Sequence, residues 1–130
     1  MKHLFYILIA SFVFAACIGA TAEEKAAKTA KEYYDRLADG YPEGFLEGKL
    51  GIVNQSGDYG EQLLATYQKY LDDVQKKHGG IQKVLVSPQV GRSDTALHVT
   101  YAFLILCFKD STQEEIAVPM VQVGDEWRMK

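Results

Sequence analysis

The 130-residue sequence has little of several things: two cysteines, three histidines, three prolines and one tryptophan. Two cysteines cannot build a disulfide-stapled scaffold. The histidines, at positions 3, 78 and 98, are scattered, and none pairs with another at metal-ligand spacing, so no zinc or iron site is implied. Basic residues (14) do not outnumber acidic ones (17), and the net charge is −3. With no basic stripe, this balance argues against a nucleic-acid partner and gives no grip on anionic lipid. No G-x-S-x-G elbow, phosphate loop or dinucleotide fingerprint occurs, and no cofactor is implied.

What the sequence does have begins at its N-terminus. Lys2 and His3 precede an eleven-residue apolar run, Leu4 to Phe14, and then Ala15-Ala16-Cys17. A positive start, an apolar stretch of that length and a small-residue cleavage zone read as an export signal. Cys17 directly after the alanine pair resembles the lipobox of bacterial lipoproteins, although Phe14 stands where leucine is usual. That resemblance implies an acylated Cys17, carrying chains of the palmitate kind, as the first mature residue. It also implies a lipid-anchored place in a bacterial cell envelope, since several chains give stable anchoring where one does not. Two other outcomes fit the same residues. Cleavage at Ala20-Thr21-Ala22 would release a soluble secreted or periplasmic protein, and Leu4 to Ala22 is about long enough for an uncleaved membrane span of ~20 residues.

Removing residues 1–16 takes away only Lys2 among the charges, leaving a net charge of −4. Residues 17–22 then form a short tether and 23–130 one domain. Thr21 caps a first helix over Glu23–Asp39, whose apolar stripe runs Ala26, Ala30, Tyr33, Tyr34 and Leu37. Gly40 stops it, Tyr41 to Gly44 is a turn, and Phe45 to Gly60 reads as a helical turn and a packed loop. A second helix, Gly60–Lys77, carries Leu63, Leu64, Tyr67, Tyr70, Leu71 and Val74 on one face. Lys76, Lys77 and His78 complement its dipole, and Gly79-Gly80 supplies a left-handed exit.

From Ile81 the period becomes two. Strands are expected over Ile81–Val86, Thr95–Phe108, Gln113–Val123 and Glu126–Lys130, with Arg92-Ser93-Asp94 in a turn and a hairpin at Gly124-Asp125. The long strand is apolar at odd positions throughout and at even positions from Ala102 on, which means one fully buried face and one half-buried face. Without a bulge the odd face meets the helices. Leu104, Leu106 and Phe108 would then need a cover such as a second copy of the chain, making a homodimer through the sheet. A bulge would turn them inward.

The fold class is therefore α+β, two N-terminal helices on a curled four-stranded antiparallel sheet. This order, with the closing Gly-Asp-Glu-Trp-Arg-Met hairpin, resembles the cystatin-like or nuclear-transport-factor-2-like cone. The Glu-Glu-Lys-Ala-Ala helix and the Lys-Lys-His-Gly-Gly-Ile junction resemble small lipoproteins of unknown function with that fold. The resemblance implies a small apolar ligand held in the cone, and Tyr33, Tyr67, Tyr101 and Trp127 are the candidates to line it. An isomerase or hydrolase on this fold would need an acid–base carboxylate inside the cone. Between Thr95 and Phe108 there is none. Cys107, amid Leu106 and Phe108, reads as a buried inert thiol. The expected function is a non-catalytic binding or interaction module. The alternatives are an accessory subunit working through its sheet surface with no pocket, and a cone-fold enzyme.

Overall fold

The computed structural model describes residues 21–49 and 57–130. The expected signal peptide, Cys17 and most of its tether lie outside them, as do Leu50, Ile52 and Val53 of the expected loop. The elements run α1 (Ala22–Ala38), α2 (Pro42–Leu46), α3 (Gly57–His78), β1 (Ile81–Val86), β2 (Arg92–Asp94), β3 (Val99–Phe108), β4 (Gln113–Val123) and β5 (Glu126–Met129).

Helix α1 starts where Thr21 accepts the Glu24 backbone N–H at 3.1 Å, with Glu23 and Glu24 in the first turn and Arg36 in the last. Both charge placements suit the helix dipole. Its buried side is small: Ala26, Ala27 and Ala30 precede Leu37, so its backbone can lie close to the sheet. Pro42 opens α2 at a position that needs no N–H donor. Helix α3 ends at Gly79 and Gly80, both at positive φ, a backbone that a side chain would strain.

The sheet order is β1-β3-β4-β5, with β2 also paired to β3. All these pairings are antiparallel. Strands β1 and β2 share one edge of β3, β1 along Leu104 to Phe108 and β2 along Val99 to Tyr101. The helices cover one face and the sheet curls around them. The core between them contains Leu37, Phe45, Leu104, Leu106, Met120 and Met129, each nearly or wholly inaccessible. Burying such a side chain contributes about 1.5–3 kcal/mol.

Three expectations are corrected. Arg92–Asp94 is a strand rather than a turn, and the turn comes after it, at 95–98. Asp94 Oδ1 accepts the backbone N–H of Ala96 at 3.0 Å and of Leu97 at 3.2 Å, and these bonds fold the chain back before a strand can form. His98 then takes φ +54°, so β3 begins only at Val99. The third correction concerns phase. Even residues, not odd ones, face the helices: Ala102, Leu104, Leu106 and Phe108 are buried, while Tyr101, Phe103 and Ile105 are half-buried. Leu104, Leu106 and Phe108 are core residues and offer no surface to a second copy. The apparent odd alternation drew on Thr95 and Leu97, which belong to the turn. Ala102 supplies the physical reason for the register, since it lets the alanine side of α1 pack against β3.

Sequence-distant segments also meet at the end of β5. Met129 N donates to Gly48 O at 2.7 Å, Lys49 bridges Met129 in parallel, and Arg128 Nη1 donates to Glu47 O at 2.7 Å.

Candidate functional site

The four aromatic candidates do not share one chamber. Tyr67 packs edge-on against Phe45 with ring centroids 4.7 Å apart, and Tyr34 meets the other side of Phe45 at 4.9 Å. This cluster joins the three helices and packs against the core. Burial pushes the Tyr34 hydroxyl well above the ordinary tyrosine range, with Tyr67 and Tyr70 adding to the effect. Burial first, then Glu114 and Tyr67, raises Tyr70 as well. Tyr33 points aside, its ring against Gly48, where an added Cβ would come within 2.6 Å of it. Arg36 lies over the Tyr33 ring at 5.1 Å. Both Tyr33 and Tyr34 pack against the core, and helical spacing from Ala26 and Ala30 to Leu37 accommodates either.

Tyr101 is on the opposite side of the sheet. It pairs with Pro119 on one neighbour and Arg92 on the other, and the Arg92 guanidinium stands 5.9 Å from its ring. Trp127 faces inward, in register with Gln122, and is mostly buried. Among the described residues no buried side-chain nitrogen or oxygen lacks a hydrogen-bond partner. Among the described residues the inner face is closely packed.

Open space lies at one end, around the start of α1. A cleft of about 540 Å³ is lined by Ala22, His98, Thr100, Gln122 and Trp127, among others. Ser93, which lines it, donates from Oγ to Glu23 Oε1 at 3.0 Å and shares a 3.1 Å hydrogen bond with Thr100 Oγ1. The Glu23 backbone N–H, then Ser93, hold the Glu23 carboxyl below its usual range. A second cleft of about 500 Å³ lies between Thr21, Ala27, Val86 and Val90. The two openings flank the first turn of α1.

The outer face of the sheet carries Leu85, Tyr101, Phe103, Ile105 and Pro119, all partly exposed. Ile105 sits between Leu85 and Glu115, and Ser87 Oγ donates to Glu115 Oε2 at 2.9 Å. Cys107, opposite Lys83 on this face, is a free thiol only 4 % exposed.

His78 acts as a clasp. Its ring stacks on Phe108 at 4.3 Å and 11°, and Nδ1 faces Asp110 Oδ2 at 2.7 Å and Thr112 Oγ1 at 3.2 Å. A triad would place acid and nucleophile on different ring nitrogens, whereas here both meet Nδ1. The arrangement ties the end of α3 to the β3–β4 turn. Thr112 first, then His78, pull the Asp110 carboxyl down to about 2.

No protein-family model matches the chain, and no curated protein matches it. Among solved structures it is similar to a Campylobacter jejuni protein provisionally assigned as an NTF2-like transpeptidase. The two are 12% identical with a TM-score of 0.54, and the match covers 77% of this chain and 92% of the other. The fold is thus a nuclear-transport-factor-2-like cone: helices followed by a curled antiparallel sheet. Among the described residues no helix is long and apolar enough to cross a membrane.

Proposed function

We propose that the protein is a membrane-tethered, non-catalytic interaction domain of a bacterial cell envelope. It is held through acylated Cys17 and works through the outer face of its sheet. The observation that carries this reading is the contrast between inner residues buried in the core and an outer face that leaves Leu85, Tyr101, Phe103 and Ile105 partly open to water. Among the described residues the inner face is closely packed, while a partly exposed apolar strip gains free energy when another surface covers it. The partner that fits is a second copy of the chain. The strip is flanked by Lys83 and Glu115 along one stretch and by Arg92 along another, so both signs of charge are present for a self-complementary contact.

Native mass spectrometry with light scattering on protein purified from its host envelope tests the proposal. A dimer that Ile105→Lys converts to a folded monomer supports it. A parent protein that is monomeric at tens of micromolar refutes the self-association, and a mass excess lost on denaturation would replace it with a ligand-binding role. That second role is favoured by the Glu23–Ser93–Thr100 chain, which runs from Glu23 in the smaller cleft to Ser93 and Thr100 in the larger one. An enzymatic role, such as the one assigned to the Campylobacter protein, would also centre on that chain of groups. It would appear as turnover abolished by Glu23→Gln.

A further inference from the structure

Seven large apolar residues are exposed among those described, and four of them gather at one end of the molecule. Val90, in the β1–β2 loop, is 80 % exposed, and Leu97, in the β2–β3 turn, is 54 % exposed. Val86 ends β1 and Val123 ends β4, immediately before the hairpin. Val86 and Val90 share a cleft with Thr21. Thr95 and His98, on either side of Leu97, line the cleft that includes Ala22, and Val123 ends β4 one residue after Gln122 of that lining. Val86 and Val90 thus border the first turn of α1, where the chain from Cys17 enters the fold, and Leu97 and Val123 stand in or beside the turns at the same end.

Covalent geometry limits the distance. Four Cα steps separate Cys17 from Thr21, and a fully extended chain spans no more than about 14 Å over them. An acyl group seated in a bilayer therefore holds the start of α1 within that distance of the membrane surface. We infer that this end of the domain rests on the lipid surface, with Val86, Val90, Leu97 and Val123 entering the interfacial layer. The inference relies on the acylation of Cys17 proposed above and adds the orientation of the domain. Glu23, Glu24, Asp94, Asp125 and Glu126 outnumber Lys25, Lys28 and Arg92 at this end. The contact is thus apolar in origin and does not depend on anionic lipid.

The test uses full-chain protein purified from its host membrane and returned to phosphatidylcholine vesicles, with an intact mass recorded first. Separate Val90→Cys, Leu97→Cys and Lys77→Cys variants carry bimane, while the buried Cys107 thiol of the parent serves as the labelling blank. The expected result is a blue shift at positions 90 and 97 and quenching by nitroxide lipids. Position 77, at the far end of α3, shows neither, and added phosphatidylglycerol leaves the pattern unchanged. An acylated protein whose probes at 90 and 97 stay as water-exposed as the one at 77 overturns the orientation and leaves the anchor standing. A mass without acyl chains overturns both. Contact that appears only with phosphatidylglycerol overturns its apolar origin.

Discussion

The two faces of β3 differ less in composition than in what lies opposite them. The inner residues Ala102, Leu104, Leu106 and Phe108 are sealed under helices. The outer residues Tyr101, Phe103 and Ile105 are as apolar but only partly covered. Hydrophobicity alone could assign either set to the core. The small residues decide: three alanines on α1 and Ala102 on β3 allow close packing of helix and sheet on one face only.

Substitutions can break this comparison, and the largest effect is expected inside. Leu104→Ala should cost about 2–5 kcal/mol, read by urea denaturation with Trp127 as the emitting group. A loss well under 1 kcal/mol would contradict the inward phase. Ala102→Leu tests the close approach directly, because overpacking should cost about 1–3 kcal/mol. An unchanged midpoint would mean α1 stands off the sheet. On the outer face Ile105→Lys should cost at most about 1 kcal/mol, the span of strand preferences. Its Glu115 neighbour offers an opposite charge, and the visible effect should be lost self-association.

The smallest expected effect is at the clasp and concerns pH. Hydrogen bonds from Thr112, then His78, hold the folded Asp110 carboxyl at about 2, below its ordinary value of 3.8. A depressed carboxylate contributes stability that is complete above its unfolded pKa and is lost as pH falls through its folded one. Asp110→Asn should therefore flatten the decline in melting temperature between pH 3.8 and about 2. Parallel curves for the two proteins across that window would show that the clasp contributes nothing there.

Much of the architecture could be read from residue spacing. Thr21 caps α1 as its position before Glu24 suggests, β4 spans Gln113–Val123, and the glycine pair ends α3. The phase of β3 could not be read that way, because from Val99 onward nearly every residue is apolar and period-two reasoning has no contrast to use. Nor could the short β2, whose Arg92-Ser93-Asp94 has turn composition and owes its extended form to pairing with Val99–Tyr101. The aromatic candidates were grouped by residue type, which carries no information about face. Tyr101 consequently lies across the sheet from Trp127. Cys17 and most of the tether lie outside the described residues, and the role of Cys17 rests on the N-terminal pattern alone.

The seam between Glu47–Lys49 and Arg128–Met129 sets an order of assembly. Its hydrogen bonds join residues about eighty positions apart, so they form only after most of the chain has been laid down. Helix α1 packs its alanines mainly on β1 and β3, and the seam then fastens the segment after α2 to β5. Closing a loop of that length is entropically costly, so contacts local in sequence form before the seam does.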